Sequence, residues 1–281
     1  MSSEDMQITE AELSAMTADM IEMHEATFPA MRESLSDLGN ALLKDERAAS
    51  LSASRRRFLI AGSGLAAGSL LLAATGGRAA AATLDAPSGS AAPSSPLVYG
   101  AEDDEVMTSA KTDKARLQLD ASLENLAVFA YGAALKDAGK GKFGKVPPAV
   151  AQFAKHAMKQ HSDHAAAFNA ALRNAGFSDY TKPTPALTPA VLKMYKATNS
   201  VPKLAMLALT LENTAAATYI KQMKTLRTDE ALNAVATIAP VERQHAAILS
   251  FVLGDYPVPD TFVKLGPTST SLGARTTADL K

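Results

Sequence analysis

Apolar residues return every three or four positions through most of the second half of the chain, the period of a helix with one inward face. One stripe reads Val150, Phe153, Ala157, His161, His164, Phe168, Leu172; another reads Val235, Ile238, Glu242, His245, Leu249, Val252. Caps and breakers divide this pattern into four long helices. The first is expected from about Thr112, a plausible N-cap, to Asp137, with Gly139 ending it. The second starts at Pro147-Pro148, with Pro148 suited to a first turn, and stops at Gly176. A Pro-rich connection (181–188) and a short helix (189–199) precede the third, about Pro202 to Leu226. The fourth runs from Thr228 or Asp229 to Gly254, and Pro240 inside it is expected to kink it. The predicted fold class is all-α, a four-helix bundle.

The polar residues on these inward faces are chemically selective. The segment Leu123 to Tyr131 is echoed 88 residues later by Leu211 to Tyr219, and each copy carries a glutamate (Glu124, Glu212) with a tyrosine (Tyr131, Tyr219) seven positions on. Seven residues is two helical turns, so Glu and Tyr share a face that is otherwise Leu, Ala and Val. Each copy is followed by a helix with an i, i+3 pair, His161/His164 and then Glu242/His245, 81 residues apart. Three of the five histidines thus occupy core positions. His156 falls on another face of its helix, and His24 is far away near the N-terminus. A lone Glu or His on an apolar face is most often a hydrogen-bonded core group. Six of them in a duplicated setting point instead to metal ligands, because buried carboxylates are costly unless paired or coordinated.

On these residues the chain resembles the ferritin-like di-metal carboxylate bundles, in which two helices give one Glu each and the other two give Glu-x-x-His. The resemblance spans roughly residues 112–255 and implies a ferritin-like four-helix bundle formed by a duplicated helical hairpin. It places Glu124, His164, Glu212, Glu242 and His245 at the family's ligand positions. His161 stands where the family has Glu, which removes one oxygen ligand and one negative charge but leaves an imidazole able to bind metal. The implied cofactor is iron or manganese, one or two ions, with Tyr131 and Tyr219 as core tyrosines bonding ligand carboxylates from outside the ligand set. If the protein is an enzyme, the implied chemistry is a di-metal oxidoreductase, oxidising Fe(II) or removing peroxide under oxidative stress. The alternative is a non-catalytic scaffold or stress protein that has lost turnover, which His161 supports.

Composition limits the other readings. A net charge of −1 gives no reason to expect nucleic-acid binding, and the absence of cysteine removes disulfides, thiolate ligands and cysteine nucleophiles. Residues 1–54 hold 11 Asp/Glu against three Lys/Arg and read as an acidic leader, solvated and partly helical or disordered. Ser54-Arg55-Arg56-Arg57-Phe58-Leu59, followed by an apolar run to Thr75, resembles a twin-arginine (Tat) export signal. That signal is assigned to 55–82. The resemblance implies the Tat machinery as a partner and a final location beyond the cytoplasmic membrane: periplasmic, cell envelope or extracellular. Cleavage is expected at the small residues Ala79–Ala82, with 58–75 as an uncleaved membrane anchor the alternative. Residues 83–110 read as a Pro/Ser/Ala-rich linker, 111–256 as the bundle domain and 257–281 as a polar C-terminal tail. With no strong fifth amphipathic helix after Gly254, a 24-subunit cage is disfavoured, and the oligomeric state is not legible.

Overall fold

The computed structural model describes residues 8–62, 101–224, 226, 229–257 and 263–281. These form six α-helices: α1 (Glu10–Gly62), α2 (Ala101–Ala138), α3 (Pro148–Asn174), α4 (Thr188–Ala197), α5 (Val201–Gln222) and α6 (Asp229–Leu253). Among the described residues there is no strand, only an isolated bridge between Thr268 and Ser271. Two compact units emerge, residues 1–43 with 110–281, and residues 44–109. Of the second, the described part is the end of α1 and the beginning of α2.

Within the first unit, α3 and α6 carry the two inward stripes. Phe153, Ala157, Phe168, Leu172, Val235, Ile238, Leu249 and Val252 are all buried. Local sequence explains the helix ends. Proline occupies the first turn of α3 and of α5, where its missing N–H costs nothing. α3 and α6 both stop in a glycine with positive φ, Gly176 at 82° and Gly254 at 78°. In each the next residue's N–H reaches back five positions, Phe177 to the Leu172 carbonyl at 2.8 Å and Asp255 to Ser250 at 2.8 Å. A side chain with a Cβ rarely adopts that conformation, so glycine sets both stops. Pro240 does not end α6, which continues to Leu253.

The first helix departs from the solvated leader expected of residues 1–54. Leu13, Met20, Met31, Leu35, Leu38 and Leu42 are buried, and they join clusters with α2, α3, α5 and α6. α1 runs parallel to α3, as four contacts of nearly constant offset show. Glu10 accepts from the Ala149 N–H at the start of α3, and Gln160 donates to the Met20 carbonyl. His24 meets His164, and Asn174 donates to Ser36. Near its end, Gly39 lies so close to the Ala171 carbonyl that an added Cβ would sit 2.4 Å from that oxygen. α2 likewise begins at Ala101, eleven residues before the expected Thr112 cap, inside the stretch read as linker.

The last residues are not a free tail either. Thr214 and Thr218 of α5 accept from the N–H groups of Leu272 and Arg275, each at 2.9 Å, and Leu272 and Leu280 pack on Leu119, Leu123 and Leu211. The repeated asparagines act alike: Asn125 donates to the Tyr180 carbonyl and Asn213 to the Thr270 carbonyl, each at 3.0 Å. Each pins a connecting segment to its helix. Among the described residues no helix is long and apolar enough to cross a membrane. The Tat-type signal and anchor assigned to 55–82 lie, from residue 63 onward, outside the described residues.

Candidate metal centre

Six side chains meet in the middle of the bundle, and none is more than 1% exposed: Glu124 from α2, His161 and His164 from α3, Glu212 from α5, Glu242 and His245 from α6. All six expected ligand positions are brought together. They form two overlapping groups, Glu124/His161/His164/Glu242 and His161/Glu212/Glu242/His245, each with ligand atoms within 4.8 Å of one another. Glu242 and His161 belong to both, so the arrangement has the connectivity of a two-ion site with a shared carboxylate between the halves.

The glutamates differ in how they are held. Tyr131 of α2 donates to Glu212 Oε1 of α5 at 2.5 Å, and Tyr219 of α5 donates to Glu124 Oε1 of α2. The tyrosines therefore cross between the repeats, each orienting the other repeat's carboxylate. Glu242 has no such support. Both its oxygens are buried without a hydrogen-bond partner, as is His164 Nδ1, which lies 3.5 Å from Glu242 Oε1 and 3.6 Å from Glu124 Oε2. Orphaned acceptors in a dry core cost about 1–3 kcal/mol each unless something occupies them. The oxygen and imidazole donors around them are the kind that hold first-row divalent ions. The residues present thus fit a metal.

The histidines also differ. His164 and His245 direct Nδ1 inward, the latter 3.2 Å from Glu212 Oε2 and 3.8 Å from Glu242 Oε2. His161 has both nitrogens inside the cluster: Nδ1 at 2.8 Å from Glu124 Oε2 and Nε2 at 3.3 Å from Glu212 Oε1. A neutral imidazole in that position can ligate through one nitrogen while the other donates to a carboxylate.

Without an ion the cluster balances its own charge. Burial pushes every carboxylate here up, but His164 and His161 hold Glu124 down to about 2, and His161 and His245 hold Glu212 well below its ordinary value. For Glu242 burial prevails over the pull of His161, and the neighbouring Glu124 and Glu212 add to it, raising it to about 8. Burial acts the other way on imidazoles. Glu242 and Glu212 overcome it at His161, which rises well above normal, and Glu124 does so at His164, raised to about 9. His245 stays below its ordinary value, with burial the largest cause. Glu124 and Glu212 are thus held towards their charged forms opposite His161 and His164, while burial pushes Glu242 and His245 towards their neutral forms.

Two residues near the centre went unrecognised in the sequence. His24 is 6% exposed, with Nε2 3.3 Å from His164 Nε2, and Gln160 Oε1 is 2.7 Å from His245 Nε2. The sequence places His24 far from the other histidines, near the N-terminus; α1 brings it to the site. The signal for it was present: Leu13, Thr17, Met20, His24, Phe28, Met31, Leu35, Leu38 and Leu42 recur in steps of three or four. Two cavities adjoin. One of about 20 Å³ borders Glu124, His161 and Glu212, and a largely apolar one of about 50 Å³ lies beside Tyr131, Phe153 and Leu249. A family model described as a ferritin-like domain matches residues 112–255, just over half of the chain. No curated protein and no solved structure matches it.

Proposed function

Because the chain belongs to the ferritin-like domain family, we propose that its buried Glu/His cluster binds two divalent ions, iron or manganese, and turns over Fe(II) or peroxide. The observation that carries this reading is Glu242, a buried carboxylate shared by both ligand groups with neither oxygen hydrogen-bonded. Glu124 and His164 would hold one ion, Glu212 and His245 the other, with Glu242 between them and His161 offered to either. Such ions would supply one-electron redox chemistry towards dioxygen or peroxide.

The chain's own residues supply the rest. Tyr131 and Tyr219 keep Glu212 and Glu124 aimed inward, so ligand geometry is set before any ion arrives. The cavity beside His161 is of a size for one water or a diatomic molecule. An apolar cavity lies on the Phe153 side of the centre. Anaerobic titration of Fe(II) and Mn(II) into the full chain, beside Glu212→Ala, tests the reading. Two ions per chain, reduced by the substitution, are expected; no uptake refutes it.

A second reading, a non-catalytic scaffold, is favoured by His161. With imidazole in place of a carboxylate the cluster neutralises itself without metal, and three carboxylates around two divalent ions leave a charge of +1. Fe(II) oxidation with and without peroxide separates the two: binding without turnover supports the scaffold. The proposal extends to location. The Ser54–Leu59 motif and the apolar run after it support export by the Tat route. Replacing Arg55 and Arg56 by lysine is expected to leave the protein in the cytoplasmic fraction.

A further inference from the structure

We propose that α1, which precedes the family-matched region, is part of the metal centre: His24 positions His164, and the Met20 turn positions His245 through Gln160. The inference rests on the metal-centre reading above and adds to it residues that the 112–255 match does not include.

An imidazole binding metal through one nitrogen must carry its proton on the other, and a fixed acceptor for that proton sets tautomer and ring orientation together. His164 and His245 both turn Nδ1 toward the carboxylates, so both must hold a proton on Nε2. The acceptor for His164 is His24 Nε2 at 3.3 Å; the acceptor for His245 is Gln160 Oε1 at 2.7 Å. Gln160 is fixed by its other end, since Nε2 donates to the Met20 carbonyl at 3.3 Å. Met20 and His24 are one helical turn apart, so a single turn of α1 anchors both ligand histidines. His24 is seated by Phe28, whose ring stacks on it with centroids 4.8 Å apart. His24 must then be the Nδ1–H tautomer, leaving Nε2 free to accept. His161 turns both nitrogens to carboxylates inside the cluster.

The test is a Co(II) titration of the full chain, reading affinity, stoichiometry and the visible absorption bands of the bound ion. His24→Leu is expected to weaken one of two Co(II) sites by about 10–100-fold and to shift its bands. His24→Gln, which can still accept a hydrogen bond, is expected to recover most of that affinity. Met31→Ala removes a core contact from the same helix without touching His164 and is expected to leave the bands unchanged. Unchanged affinity and bands in His24→Leu overturn the inference, and so does Met31→Ala reproducing the loss. A native chain that takes up no Co(II) brings down the metal-centre reading and this inference with it. Should the leucine variant not fold, nitrogen NMR of the zinc-loaded native chain decides. A protonated Nε2 on His164 facing an Nδ1–H His24 is expected, and the opposite tautomer on His24 refutes the assignment.

Discussion

Glu242→Met offers the sharpest separation between a site built to hold metal and a core that merely tolerates polar residues. The substitution keeps the length of the side chain and removes two buried oxygens without hydrogen-bond partners. An unsatisfied buried polar group costs about 1–3 kcal/mol, so removing this one should stabilise the metal-free protein by about 2 kcal/mol, relative to the same reference. Losses elsewhere are small. Glu242 stands 3.5 Å from His164 and 3.8 Å from His161, whereas Glu124 remains 2.8 Å from His161 and 3.6 Å from His164. Glu242 also gives the largest pull that raises His161, so the variant should lower that imidazole's pKa, while Glu212 and Glu124 continue to hold it up. For a unit of this size the gain corresponds to a Tm rise of about 4–8 °C. Thermal unfolding followed by circular dichroism, in EDTA and in excess Mn(II), measures both sides. The native chain should gain stability on adding Mn(II), about 2.7 kcal/mol at a hundredfold excess over Kd. The variant should melt higher in EDTA and respond little to Mn(II). A variant that melts lower in EDTA, or that keeps the full Mn(II) response, refutes the reasoning.

Four further outcomes follow from the same geometry. Tyr219→Phe deletes the donor to buried Glu124 and should cost about 1.5–3 kcal/mol in the metal-free state, read by denaturant unfolding, while lowering metal affinity. Gly39→Ala gains about 1 kcal/mol of helix propensity, but its Cβ would meet the Ala171 carbonyl at 2.4 Å and Asn174 Cβ at 2.6 Å. The clash should prevail and lower Tm, with the loss confined to α1 in hydrogen exchange. Buried Asp120, which accepts from Gln222 at 2.6 Å, has its pKa raised by burial to about 8, above the value it has when unfolded. Its contribution is therefore complete below about pH 4 and is lost as pH rises towards 8, because the unfolded chain ionises first. Asp120→Asn should flatten that decline in urea unfolding between pH 5 and 8. Metal affinity should rise from pH 6 to 8, with protons released on binding, since His161, His164 and Glu242 are protonated in the metal-free cluster; calorimetry in buffers of different ionisation enthalpy counts them.

The four bundle helices were legible because long apolar stripes with proline starts and glycine stops leave little freedom. So were the six cluster residues, because core positions occupied by Glu and His break that pattern in a repeated way. α1 was obscured for a physical reason. Thr, His and Met dilute its apolar steps, its outer face is strongly acidic, and Pro29 interrupts the run, yet the helix continues through it. The docking of 263–281 had no periodic signal at all: it depends on backbone N–H groups meeting Thr214 and Thr218, and such contacts leave no pattern along a chain. The crossing of the two tyrosines was equally hidden, since a repeat shows that Glu and Tyr share a face but not which carboxylate each tyrosine reaches.

The order of segments along the chain has its own consequence. The part of α1 packed in the bundle is joined along the chain to residues 110–281 through residues 44–109, and Ser54–Leu59 and Ala79–Ala82 both fall within that stretch. Two elements on one chain meet at an effective concentration that reaches the order of millimolar for short tethers. One cut at Ala79–Ala82 would convert this docking into an encounter between separate molecules, governed by its own dissociation constant and by dilution. His24 and the Met20 carbonyl would leave with the released fragment. Proteolysis between residues 44 and 109 would therefore part His164 and Gln160 from the turn of α1 that meets them.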